Sequence, residues 1–229
     1  AFAIKLGIAP FHFWLPEVLQ GITIKTGLIM STWQKVAPMS MLIQMSSATN
    51  LNLLMFLSIT STLIGGWNGI NQTQTRKIMA FSSIAHLGWT IAILNLSPKL
   101  TVLNFSLYII MTSTLFITLL LLNTKNMSEL ATFWSKSPIL STLSMLSLLS
   151  LSGLPPLTGF MPKWLIAQEM IKQNLILFTI IILLSSLLSL FFYLRLTYAL
   201  AITLAPNLSF SPFPWTYHKK NLLAPVVAF

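Results

Sequence analysis

The chain has 229 residues, of which 55% are hydrophobic and only 7% charged, with a net charge of +10 and no cysteine. A soluble domain carries about a quarter charged residues, so a soluble globule is excluded, and the lack of cysteine removes disulfides, thiolate metal sites and cysteine-ligated iron–sulfur clusters. Arg76-Lys77 and Lys219-Lys220 are the basic doublets, with no aromatic-interleaved basic stripe beside them, so the positive charge argues for a membrane protein and against a nucleic-acid partner.

Crossing a hydrocarbon core of about 30 Å takes roughly 20 apolar residues, and such stretches follow one another with almost no polar linker. They predict an all-α, polytopic transmembrane helical bundle, a single membrane domain of about seven helices. In chain order the spans are a partial helix up to Leu19, then 27–46, 51–70, 76–96, 100–122, 139–170 and 175–204. The sixth carries Gly153, Pro155, Pro156, Gly159 and Pro162 at its middle. It must be interrupted there, because each proline removes a backbone donor and clashes with the preceding turn. Ala1 falls inside an apolar stretch without an initiator Met or signal pattern, and a fresh helix begins shortly before Phe229, so the sequence reads as a piece of a longer protein.

Alternating sides from span to span places Lys25, Arg76, Lys77, Lys125, Lys136, Lys219 and Lys220 on one side and Lys99 and Lys172 on the other. The positive-inside rule then turns the first set toward the cytoplasm, or the matrix of a mitochondrion, with Arg195 snorkelling to that side.

An internal echo links two segments. Gly7-Ile8-Ala9-Pro10 followed by Pro16 recurs as Gly153-Leu154-Pro155-Pro156 followed by Pro162, an offset of 146 that extends to Leu19 and Leu165. An odd number of intervening spans makes the segments run in opposite directions, the signature of inverted repeats whose discontinuous helices meet around an ion or substrate path.

Ionisable residues inside spans are candidates for function. Lys5 precedes the first break, Lys35 lies mid-span before Pro38, and Lys163 follows Pro162 at the second break. Desolvation disfavours the charged form of a lysine, which lets it exchange a proton near neutral pH, and helix breaks leave carbonyls and amides that hold water. The alternative for each is a snorkelling side chain; depth argues against it at Lys35 and Lys163, whereas Lys5 is too near the start to judge. His86 lies mid-span among Ser82, Ser83 and Gly88 and can pass a proton between waters, or serve as a hydrogen-bonded structural residue. His12 and His218 read as interfacial, and three histidines without paired acids form no metal site. Glu17, Glu129 and Glu169 are the only acids, so paired-carboxylate and Ser-His-Asp chemistry are poorly supported.

Four motifs carry a resemblance: Lys5-Leu6-Gly7-Ile8-Ala9-Pro10-Phe11-His12-Phe13-Trp14-Leu15-Pro16-Glu17, Asn71-Gln72-Thr73-Gln74-Thr75-Arg76-Lys77-Ile78, Ser82-Ser83-Ile84-Ala85-His86-Leu87-Gly88-Trp89 and Ser152-Gly153-Leu154-Pro155-Pro156-Leu157-Thr158-Gly159-Phe160. Together they closely resemble the chain 2 family of animal mitochondrial NADH:ubiquinone oxidoreductase, respiratory complex I, in order along essentially the whole chain.

The resemblance implies two inverted repeats with a broken helix in each: a partial first repeat at about 1–48, a second at about 51–204 and the start of a final helix at about 219–229. It implies a proton-translocating, antiporter-like subunit of the mitochondrial inner membrane, working through Lys5, Lys35, His86 and Lys163 and coupled to quinone reduction elsewhere. Its partners would be other membrane-arm subunits, antiporter-like chain 4 among them, together with phospholipids and protons. NADH, FMN, iron–sulfur clusters and ubiquinone would belong to other subunits, with no cofactor or metal on this chain. In that family the first lysine pairs with a glutamate on an earlier helix, and none precedes Lys5 here. The alternatives are a subunit of a cation/proton antiporter and a passive scaffold.

Overall fold

The computed structural model describes residues 1–122, 126–132 and 138–201. Lys125, Lys136, His218, Lys219, Lys220, the end of the seventh span and the expected helix at 219–229 lie outside the described residues.

The described residues form helices, with no strand and a single isolated bridge between Gln74 and Asn126. The helices are α1 (Phe2–Leu6), α2 (Trp14–Gly21), α3 (Ile24–Ser31), α4 (Trp33–Gln44), α5 (Leu51–Ile70), α6 (Thr75–Ala92), α7 (Pro98–Leu122), α8 (Met127–Thr132), α9 (Pro138–Ser152), α10 (Phe160–Lys172) and α11 (Ile176–Ala201). By length and composition α5, α7 and α11 can each cross a membrane unaided.

The expected break in the sixth span is present, separating α9 from α10, and the echo of the first segment separates α1 from α2 in the same way. Gly7 and Gly153 occupy matching places and both adopt the left-handed conformation, at φ 73° and 83°, which glycine enters without steric penalty. Two departures from the sequence reading have a physical cause in the structure. The fourth span stops at Ala92 rather than 96, because Asn95 leaves the helix to pair twice with Thr49, through its amide oxygen and its amide nitrogen, each at 2.8 Å. The second span is two helices, not one: Thr32 (φ −113°, ψ −72°) is a distorted right-handed residue at which the hydrogen-bond ladder is interrupted. The Ser31 and Thr32 hydroxyls both turn back to the Leu28 carbonyl, at 3.1 and 2.7 Å, a local competitor for the backbone ladder that bends helices.

Helix α6 is the axis of the bundle. Every residue from Ile78 to Ala92 is buried, although the helix carries Ser82, Ser83, His86 and Thr90. It packs closely against α5 and also touches α2, α3, α7 and α11. The α5–α6 approach depends on small residues, as expected where lipid supplies no hydrophobic drive between helices. A Cβ on Gly65 would stand 2.8 Å from the Ala85 amide nitrogen and 3.0 Å from the Phe81 carbonyl oxygen, and one on Gly88 2.4 Å from the Ser61 hydroxyl. Arginines tie the same ends together: Arg76 donates to the Ile22 carbonyl, and Arg195 donates to the carbonyls of Ile70 and Gln72. Arg195 thus caps the end of α5, a more specific task than the snorkelling expected of it.

Because the atoms facing Gly65 are backbone, no side chain can give way. Gly65→Ala is expected to separate α5 from α6 and destabilise the chain by about 1–3 kcal/mol, read as a lowered thermal midpoint of the assembled protein; an unchanged midpoint would contradict the close approach.

Candidate proton-relay site

Polar groups gather along the face of α6 that carries Ser82, Ser83, His86 and Thr90. The serine and threonine hydroxyls satisfy themselves first, Ser82 donating to Met79 O, Ser83 to Ala80 O and Thr90 to Leu87 O at 2.7–2.8 Å. Their oxygens retain lone pairs for other donors. His86 is 7% exposed and lies between two tyrosines from other helices, with ring centroids at 5.8 Å for Tyr108 of α7 and 6.4 Å for Tyr193 of α11.

Lys35 enters from α4. It is 1% exposed, and its Nζ donates to the Tyr108 hydroxyl at 3.3 Å. At 5.5 Å from the ring centroid the ammonium lies off the phenol oxygen rather than close over the ring face. Tyr108 in turn donates to the Ser31 carbonyl at 3.0 Å. That carbonyl is open because of the interruption at Thr32: the Lys35 amide, its partner in an unbroken helix, bonds instead to Thr32 O at 3.2 Å.

Lys163 enters from the other break, its Nζ donating to the Ser152 carbonyl at 2.9 Å. Pro155 and Pro156 explain why an acceptor waits there. In a continuous helix the carbonyls of Leu151 and Ser152 would take the amides of residues 155 and 156, and proline has none. Lys163 takes the Ser152 carbonyl, and the Leu151 carbonyl lies near His86. The glycines of the motif make room. A Cβ on Gly153 would lie 2.9 Å from Lys163 Nζ, and one on Gly159 only 1.8 Å from Ser150 O. Lys35 meets Tyr108, whose ring lies 5.8 Å from that of His86, and Lys163 lies within electrostatic range of His86, so α4, α6 and α10 deliver three of the four expected residues to one interior region.

The fourth stands apart. Lys5 occupies the last turn of α1 and is exposed. His12, expected at an interface, is 2% exposed and packs against Phe13 at 4.3 Å within the first break. Glu169 pairs with Lys172 at 3.3 Å on the outer end of α10 and Glu17 is exposed; among the described residues, neither Lys35 nor Lys163 has a carboxylate partner. No group of His, Cys, Asp or Glu suited to a metal ion occurs among the described residues either. Tyr108 and Tyr193 were not singled out in the sequence. The available signal was the polar stripe Thr101, Asn104, Tyr108 and Thr112 on α7, at offsets of three, seven and eleven residues, all of it buried.

Residues 1–189 match the family described as NADH:quinone oxidoreductase/Mrp antiporter, TM, and residues 190–229 match NADH dehydrogenase subunit 2 C-terminus. The chain belongs to the NADH:quinone oxidoreductase/Mrp antiporter family. It is 58% identical over 221 residues to NADH-ubiquinone oxidoreductase chain 2 of Xenopus laevis, a match covering 96% of this chain and 64% of the relative; the chain thus spans somewhat less than two thirds of that relative's length. A chain of respiratory complex I from Thermus thermophilus, solved with bound aureothin, superposes with a TM-score of 0.82 at 28% identity, over 99% of this chain and 52% of that one. A chain of the Mrp complex from Dietzia sp. DQ12-45-1b shares the fold, with a TM-score of 0.79 at 18% identity, over 86% of this chain and 40% of that one. The antiporter-family fold is therefore shared, while the sequence relationship runs to chain 2.

Gly153→Ala tests the second break. A left-handed alanine costs about 1–2 kcal/mol, and its methyl group would push Lys163 Nζ off the Ser152 carbonyl. A lowered thermal midpoint with a displaced lysine in the variant's structure is expected; an undisturbed Lys163 would contradict the geometry described here.

Proposed function

We propose that this chain is an antiporter-like, proton-translocating part of NADH:ubiquinone oxidoreductase, embedded in the mitochondrial inner membrane with its basic loops toward the matrix. The observation that carries the reading is the convergence of Lys35 and Lys163 on His86 in the interior of an apolar bundle, each lysine held at a helix interruption. A buried cation without a carboxylate is held only by neutral oxygens, which solvate it poorly compared with water. Small changes nearby therefore suffice to shift its proton.

In this reading the proton passes along Lys35, His86 and Lys163, with Lys5 joining the path at the first break. The chain contributes no redox chemistry and binds neither NADH, FMN, iron–sulfur clusters nor ubiquinone. Quinone reduction elsewhere supplies the drive through shifts of charge or conformation. Its neighbours are other membrane-arm subunits, antiporter-like chain 4 among them, and phospholipids. The segments at about 1–48 and 51–204 are the two inverted repeats. The identity to chain 2 favours this over a separate cation/proton antiporter, for which the support is a family model that both kinds of protein share and a common fold.

Lys35→Met and Lys163→Met, each in the intact assembly in sealed vesicles, are expected to lower NADH-driven proton delivery by about tenfold or more without loss of assembly. Full proton yield per NADH in both variants would reduce the chain to a scaffold.

A further inference from the structure

Among the described residues, the hydroxyl of Tyr108 is the hydrogen-bond partner of the Lys35 ammonium, and it also reaches the carbonyl that the α3–α4 interruption leaves open. We propose that Tyr108 is a positioning residue that ties the charge on Lys35 to the opening of the break at Ser31 and Thr32. The proposal rests on Lys35 being a proton carrier, as argued above, and adds the group that makes the helix respond to it.

The hydroxyl has one proton and two lone pairs. While Lys35 is an ammonium it can only donate, so the phenol oxygen accepts from Nζ and the phenol proton turns to Ser31 O, the arrangement observed. When Lys35 passes its proton on, Nζ becomes an acceptor. The phenol O–H then turns to the amine and releases Ser31 O, which takes the Lys35 amide as a continuous helix would. Tyr108 keeps its own proton throughout; one proton leaves Lys35 and two hydrogen bonds change partner, the phenol O–H from Ser31 O to Nζ and the Lys35 amide from Thr32 O to Ser31 O.

Three features favour a fixed role over simple packing. Tyr108 is 1% exposed, which shields its hydroxyl from bulk water. Its ring is held between Phe105, at a centroid distance of 6.1 Å, and His86, at 5.8 Å, which leaves the hydroxyl as the part free to reorient. The Ser83 hydroxyl lies beside the phenol, placing the Lys35 contact next to the polar face of α6 that carries His86.

The test compares wild type, Tyr108→Phe, Lys35→Met and the double variant, each in the intact assembly in sealed vesicles. Tyr108→Phe is expected to assemble normally, leave the KM for quinone unchanged and lower kcat and proton delivery about tenfold, the worth of a hydrogen bond to a charged group. The double variant should be no slower than Lys35→Met, because the tyrosine acts through the lysine. Wild-type pumping by Tyr108→Phe, or multiplied losses in the double variant, would overturn the proposal while leaving the relay intact; full pumping by Lys35→Met would overturn both. A second readout is independent of turnover. With the phenol oxygen gone, the Lys35 amide should bond to Ser31 O and exchange its hydrogen about tenfold more slowly, and unchanged exchange would count against the tie.

Discussion

Everything in this bundle depends on how two lysine side chains are accommodated in an interior with no carboxylate for them among the described residues. A charge of one sign in an apolar environment needs oxygen ligands, and a regular helix offers few, since its carbonyls already serve its own amides. The fold meets the demand by interrupting helices. Pro155 and Pro156 withhold two amides, so the carbonyls of Leu151 and Ser152 become available. At the other end, the turn at Thr32 diverts the Lys35 amide and opens Ser31 O. Lys163 takes its carbonyl directly, Lys35 takes its own through Tyr108, and His86 lies beside Tyr108 with the Leu151 carbonyl near it.

The surrounding architecture serves that arrangement. Helix α6 is enclosed along almost its full length, with its polar stripe turned inward and Gly88 meeting α5. Hydroxyls on α5, α6 and α7 bond back to their own helices, so they add polarity to the interior without demanding further acceptors. Gly153 and Gly159 let the second break fold tightly enough to bring Lys163 onto α9's last carbonyls. The interruptions are thus ligand sites for cations, and also the places where backbone pairing can change with little loss.

Much of this was legible in the sequence. Proline and glycine advertise a break wherever they occur in an apolar span, and the echo at an offset of 146 found both of the broken segments that share a left-handed glycine. Lys35, His86 and Lys163 were visible because ionisable residues within spans are rare. The interruption at Thr32 was hidden: the sequence there carries no glycine, Pro38 lies six residues on, and hydroxyls bonding to Leu28 O are an outcome of packing. Tyr108 was hidden for a related reason. A tyrosine in a membrane protein ordinarily reads as an interfacial residue, and only the meeting of α3, α4 and α7 shows that its hydroxyl faces Lys35. His12, read as interfacial, is buried within the chain because a short broken segment can fold inward, which span counting does not anticipate.

The most direct measurement follows the protonation of the two lysines themselves, by nitrogen-15 spectroscopy of Lys35 and Lys163 in the membrane-reconstituted assembly, at rest and during steady NADH oxidation. For a relay, the signal of at least one of them alternates between ammonium and amine as turnover begins. Two lysines that remain ammonium throughout full-rate pumping would contradict a proton path through this chain.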